Sequence, residues 1–407
     1  MNSKKNSNFF RLIRNVGVIL VLFSIVSSPG FSYDDFVVHL NLGVAYYQQE
    51  RYKKAEEEFK KAITLNNNSF EAHYDLFLVF SVQKKYSLAE EELVKCINLN
   101  PDYPELHFQL GNIYFYQKLY SRAVDEYKRE IDNNPSHIPS LYNLSRVLRI
   151  QGRLSETEKI LEKVRELDSG FPRIYFELGE VCYKEGKIEK ALQYLKKAIN
   201  KEPSNVFSYI YLERIYQKKG DYHKAERIIC RAIEIDPHNF YCQAEAGYLY
   251  LKLKSYSLAI SHLEKAVEIN PQDLSVHYYL GYAYTQLRRI DDAIAQYSFI
   301  LSKKKEFEDT YFCLGNLYYE KKDFEKAISF YLKEIQVNPQ NTNALFNLAN
   351  VYFQEGRLDE AEFTLKKLLK ITPDDPSAHS LLGDIYMKKN IYDKAIREYE
   401  KAQAIKK

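Results

Sequence analysis

Across Glu308–Asn341 apolar residues recur at three- and four-residue steps, give way to a short polar turn, resume at the same steps and stop at a proline. Tyr311, Leu314, Gly315 and Tyr318 make the first stripe, the spacing of one buried helix face. The same stripes return every 34 residues from Phe36 to the end, without insertion or deletion. Such a period predicts an array in which each repeat buries its apolar face against its neighbours.

Counting Phe36 as position 1, repeats begin at residues 36, 70, 104, 138, 172, 206, 240, 274, 308, 342 and 376. The first helix of each repeat buries positions 4, 7, 8 and 11, and the second buries positions 17, 20, 24 and 27. Position 20 is Ala in ten of the eleven, with Thr157 the exception, and Gly fills position 8 in seven. These small residues predict a close approach of the two helices, because enlarging a packed site costs about 1–3 kcal/mol. Gly152, Gly186, Gly220 and Gly356 mark the turn at position 15. Prolines such as Pro101, Pro237 and Pro339, at position 32, end the second helix.

Residues 1–35 stand outside this period. Lys4, Lys5, Arg11 and Arg14 precede an apolar run, Val16 to Val26, and then small residues, the pattern of a secretory signal cut before Tyr33. The run is short for a membrane span of about 20 residues, so residues 1–32 read as a signal peptide, with an uncleaved anchor as the alternative. Removing them takes four cations and no anion, and the formal charge falls from +3 to −1. The basic balance thus belongs to the leader, and a nucleic-acid footprint is not expected. The 36 Tyr against 0 Trp are as readily a matter of codon supply as of function.

Eleven copies of Leu314, Gly315, Tyr318, Ala327, Tyr331 and Pro339, or their equivalents, resemble the tetratricopeptide repeat over residues 36–407. The resemblance implies an all-α fold: a right-handed superhelical solenoid of eleven helix-turn-helix repeats, its first helices lining a concave groove that binds an extended peptide or another protein. The family's first-helix Trp is absent. Position 4 holds His39, His73, His107, His277 or His379, or Tyr, Leu or Gln. These His read as packed rings standing in for an aromatic, because none has a neighbour at zinc-ligand spacing. Five Cys, an odd number, do not make a disulfide framework, although Cys230 and Cys242 lie on successive helices. No phosphate loop, nucleophile elbow or isolated carboxylate pair is present, so no enzymatic activity, cofactor or metal is expected.

In this family positions 5, 9 and 12 face the groove. Here they form an aromatic and amide ladder: Tyr74, Phe108, Asn112, Phe115, Tyr142, Phe176, Tyr183, Tyr278, Tyr282, Phe312, Asn316, Tyr319, Phe346, Asn350 and Phe353. Such a ladder suits stacking on side chains and hydrogen bonding to a peptide backbone, and packing against neighbouring helices is the competing role. Arg146, Arg149, Arg173, Lys184, Arg214 and Lys218 run along the middle repeats against Glu177 and Glu180. No Lys stands at position 5, which argues against a clamp for C-terminal carboxylates.

Glu130 and Glu334 replace an apolar residue at position 27, and each precedes an Asn at position 6 of the next repeat. A buried carboxylate needs partners, so Glu130–Asn143 and Glu334–Asn347 hydrogen bonds are expected. Ser145 and Thr157 in repeat 4, and Lys303–Lys305 in repeat 8, mark candidate looser joints. Gln403 suggests a polar C-terminal cap, whereas Phe36, Val37, Val38 and Leu40 leave the N-terminal edge apolar.

The expectation is an exported, non-enzymatic scaffold of the periplasm or cell envelope that binds protein or peptide partners. The alternatives are a glycan-handling or polysaccharide-synthase accessory module, and a cytoplasmic or membrane-anchored adaptor if the leader stays. Membrane contact is expected only through an uncleaved leader.

Overall fold

The computed structural model describes residues 35–405. The leader, its cleavage site and the terminal Lys406 and Lys407 lie outside the described residues. Among the described residues there are 22 α-helices and no strand, and no helix is long and apolar enough to cross a membrane.

The described residues form two compact units, the first ending at Pro172 and the second beginning at Arg173. In the first, α1 (Asp35–Gln48) and α2 (Tyr52–Leu65) form repeat 1, α3 (Phe70–Val82) and α4 (Tyr86–Leu99) repeat 2. α5 (Leu106–Tyr116) with α6 (Tyr120–Asn133), and α7 (Ile138–Ile150) with α8 (Leu154–Leu167), complete it. The second unit opens with α9 (Ile174–Lys184), α10 (Ile188–Lys201), α11 (Val206–Lys218), α12 (Tyr222–Ile235), α13 (Phe240–Lys252) and α14 (Tyr256–Ile269). It continues through α15 (Leu274–Gln286), α16 (Ile290–Lys303), α17 (Thr310–Glu320), α18 (Phe324–Val337), α19 (Thr342–Gln354) and α20 (Leu358–Ile371). It ends with α21 (Pro376–Lys388) and α22 (Tyr392–Ile405). Within each unit a helix packs chiefly on its hairpin partner and next on a helix of the neighbouring repeat. The division falls after repeat 4, where Ser145 and Thr157 are both buried and turn their hydroxyls to the carbonyls of Tyr142 and Arg153.

The three-residue turn between paired helices needs one left-handed residue, and position 15 supplies it in every repeat. Four repeats use Gly; the others force Glu50, Lys84, Lys118, Lys254, Arg288, Lys322 and Asn390 to φ between 57° and 61°. A side chain there costs about 1–2 kcal/mol. Replacing exposed Lys322, at φ 60°, by Gly is expected to raise stability by about 0.5–1 kcal/mol after the larger entropy of the unfolded chain is offset. Urea melts of the variant against wild type check this.

The small residues work as expected, with a shift of partner. All ten position-20 Ala are fully buried, but each position-8 Gly faces the ring or branched chain at position 24. A Cβ at Gly111 would lie 2.6 Å from the Tyr127 ring, and one at Gly315 would lie 2.5 Å from the Tyr331 ring.

The position-4 histidines are packed rings, and each also has a designated partner. His39, His73, His107 and His379 meet Glu58, Glu92, Glu126 and Glu398 at position 23, with separations of 2.5–2.7 Å. His277 meets Gln296 at 2.6 Å, and repeat 7 reverses the order with Gln243 and His262 at 2.8 Å. On the other side, His73, His277 and His379 reach the position-32 carbonyls of Asn67, Pro271 and Pro373. His73, His277 and His379 therefore tie their own second helices to the end of the preceding repeat. All five cysteines are free thiols, Cys230 and Cys242 included.

Two expectations are corrected. Glu130 and Glu334 are buried, but neither bonds the following Asn. Glu130 accepts from the Phe108 amide at 3.3 Å, and Glu334 accepts from the Asn341 side chain at 2.8 Å. Asn143 and Asn347 instead donate to Asn112 and Asn316, both at 2.8 Å. The reason is direction: position 27 faces back into its own repeat, whereas position 6 faces along the row of first helices. The C-terminal end is also less polar than Gln403 suggests, because Ile396 and Tyr399 are exposed on the same helix.

Candidate binding cleft

Successive first helices in the second unit are held in register by a regular reach from one repeat to the one before. Position 13 meets position 12 of the preceding repeat: Gln354 donates to the Tyr319 hydroxyl at 2.7 Å, and Lys252 to the Gln217 side-chain oxygen at 2.5 Å. The same step puts the Lys218 ammonium 4.2 Å from the Tyr183 ring centre and Lys388 3.9 Å from that of Phe353. Position 6 likewise meets position 9 of the preceding repeat. Tyr211 donates to Glu180 at 3.0 Å, Arg214 holds Glu245, and the rings of Tyr248 and Tyr279 lie 4.7 Å apart.

Where α9, α11, α13 and α15 line up, this row encloses a cleft of about 890 Å³. Five tyrosines line it: Tyr183, Tyr248, Tyr278, Tyr279 and Tyr282. Tyr279 and Tyr282 are 41% and 42% exposed, whereas burial pushes the hydroxyl pKa values of Tyr248 and Tyr278 upward. The charged lining is Arg214, Lys218 and Lys252 against Glu245. Arg214 is committed to Glu245. Among the described residues neither Lys218 nor Lys252 has a carboxylate within 4 Å.

Behind this wall lies Glu213, fully buried at position 8, where seven repeats have Gly. One of its oxygens accepts from the Gln217 amide nitrogen, and the other has no hydrogen-bond partner. Burial raises its carboxyl pKa to about 7, and Glu245 adds to the effect, against the opposing pull of Gln217, Arg214 and Lys252.

Of the fifteen ladder residues, Tyr183, Tyr278 and Tyr282 line the cleft. The others lie elsewhere along the first helices, mostly half-buried. Tyr74 packs on Phe70 and Tyr103, Phe108 on His137, and Tyr142 on Phe171. Phe176 is buried beside Tyr211, Phe312 meets Tyr331, and Phe346 packs on the core. Phe115 lies under Arg146, Phe353 under Lys388, and Tyr319 beside Phe324. Asn112 and Asn316 accept from Tyr127 and Tyr331 as well as from the next repeat's Asn, so their oxygens are occupied. Asn350 is half-buried.

Reading positions 5, 9 and 12 alone overlooked positions 2, 6 and 13, which bring Ser275, Glu245, Tyr279 and Lys252 to the cleft. Glu213 was the visible signal: it is the charged residue at a position otherwise held by Gly, Ala, Ser or Phe.

Models described as tetratricopeptide repeat match residues 36–69, 148–214, 214–239, 280–342, 318–385 and 376–407, and one described as TPR repeat matches 247–287. No curated protein matches the chain. Solved structures similar to it include YrrB, described as a TPR protein with an unusual peptide-binding site, at 20% identity over 45% of this chain and 95% of that one, with TM-score 0.42. PilF of Pseudomonas aeruginosa aligns at 20% identity over 52% of this chain and 96% of its own, with TM-score 0.45. Yeast Tom70 aligns at 15% identity over 91% and 92%, with TM-score 0.40. With the helix pair recurring every 34 residues and repeat models covering most of its length, the chain belongs to the tetratricopeptide repeat family.

Proposed function

We propose that this protein is a non-enzymatic scaffold that holds an extended segment of a partner protein in the cleft along α9, α11, α13 and α15, and that it acts outside the cytoplasm after loss of its leader. The observation that carries the reading is the pair of exposed rings, Tyr279 and Tyr282, beside two lysines without carboxylate partners in a cleft of about 890 Å³. Rings with a polar tip give large contact area at low conformational cost, and such concave sites are where ligands are held.

Tyr279→Ser with Tyr282→Ser tests it. Because both side chains are substantially exposed, the double variant is expected to keep its thermal stability and to lose the proteins that the wild type captures from native extract. Capture of the same partners at the same level would overturn the reading. Export is tested separately by N-terminal sequencing of the native protein: a chain starting at Tyr33 supports it, and an intact Met1 argues against it.

A further inference from the structure

The cleft has more positive charge than its own structure uses. Arg214 and Glu245 neutralise each other, which leaves Lys218 and Lys252. Lys218 rests on the Tyr183 ring, and a ring face stabilises a cation without neutralising it. Lys252 gives one proton to the Gln217 oxygen and has two more to donate. Both lysines are exposed in the cleft, where a cation without a carboxylate partner attracts an anion, and charge-assisted hydrogen bonds are the strong ones.

Lys252 is also held from behind. The Gln217 nitrogen points to Glu213 and its oxygen to Lys252. A glutamine amide has one donor end and one acceptor end, so anchoring the nitrogen on Glu213 turns the oxygen toward the cleft. Glu213 takes a place where Gly or Ala would pack at no electrostatic cost, and its second oxygen is left unpaired at full burial. Such a penalty is a mark of a functional position.

Resting on the cleft as the binding site, we infer that its occupant is an acidic segment of a partner protein, with two carboxylates seated on Lys218 and Lys252, and that Glu213 is the positioning residue that aims Lys252 through Gln217. The spacing follows from the repeat. Lys218 and Lys252 occupy the same position on neighbouring first helices, and packed helices lie about 8–10 Å apart. An extended polyproline-type chain rises about 3.1 Å per residue with three residues per turn. Acidic side chains three residues apart therefore lie on one face at about the lysine separation. Tyr248, Tyr279 and Tyr282, on the neighbouring wall, suit an aromatic or apolar residue flanking the acids.

The test uses the full chain and fluorescein-labelled Gly-Tyr-Asp-Tyr-Pro-Asp-Tyr-Ser-Gly, against the same peptide with both Asp replaced by Asn, read by fluorescence anisotropy at pH 7. The acidic peptide is expected to bind at least about tenfold tighter than its control, the worth of one charge-assisted hydrogen bond, and to weaken with added salt. Lys218→Ser and Lys252→Ser should each remove most of that preference. Glu213→Gly should weaken the acidic peptide about as much as Lys252→Ser, and Glu213→Gln, which still accepts from Gln217, should keep it. Equal binding of both peptides, lost in Tyr279→Ser with Tyr282→Ser, would overturn the acidic inference and leave the cleft in place. Binding that survives the tyrosine and lysine changes alike would overturn the cleft as well. No binding of either peptide would overturn the inference. Loss of the acidic preference in Glu213→Gln as well as in Glu213→Gly would remove Glu213 from its positioning role.

Discussion

Valine in place of Gly315 is expected to destabilise the α17–α18 hairpin by about 3 kcal/mol, the upper end of what overpacking costs. Even the first added carbon would stand 2.5 Å and 2.6 Å from two carbons of the Tyr331 ring. That ring has nowhere to move. It is 1% exposed, and its hydroxyl is fixed on Asn316 at 2.7 Å, which also receives Asn347 at 2.8 Å. Displacing the ring therefore also breaks the link between repeats 9 and 10. In an array of repeats the damage stays local and spreads to nearest neighbours, so amide exchange should rise in α17 to α20 and stay unchanged in α9 to α12. Repeat 10 supplies the control, because Ala349 and Leu365 occupy the same two places there. Gly315→Ala with Tyr331→Leu should therefore be more stable than Gly315→Val. A Gly315→Val protein with wild-type exchange in α17 and α18 would contradict the packing argument.

The second large effect is a loss of stability with rising pH that traces to Glu213. Its carboxyl pKa in the folded chain is about 7, against an ordinary 4.5. Between those values the folded protein holds a proton that the unfolded chain has released, so stability falls as pH rises through the window and levels off above it. The gap corresponds to about 3 kcal/mol. Glu213→Gln cannot ionise and should remove that slope: similar to wild type at pH 4.5, it should be more stable at pH 8. Urea melts at both values, following the second unit, decide the matter. Parallel pH profiles for the two proteins would mean that the buried carboxyl is not the source. Arg214 and Lys252 oppose the rise and Glu245 reinforces it, so Lys252→Ser should extend the fall to higher pH and enlarge the total loss.

Much of this architecture was legible along the chain because it is written within single repeats. Helix ends follow from prolines at position 32 and from the turn at position 15, where a left-handed residue is required whether it is Gly152 or Lys322. The pairing of positions 4 and 23 was legible as well, though it takes two columns read together. His stands opposite Glu or Gln in repeats 1, 2, 3, 8 and 11, Gln243 stands opposite His262, and Leu141 stands opposite Ile160. A buried hydrogen-bonding side chain needs a polar partner, and an apolar one does not.

Contacts between repeats were not legible in this way. Asn143 reaches Asn112 rather than Glu130, and Lys252 reaches Gln217. Separations of 31 and 35 residues depend on how far each helix pair is rotated on the one before, a quantity that no single repeat encodes. The sequence by itself determined the family, the helices, the turn conformation and which residues are small or apolar, because each answers to a local rule of geometry or burial. Only the tertiary structure decided which first-helix side chains meet, where the cleft opens, and that Glu213 lies buried behind it, because these follow from the stacking of four successive repeats.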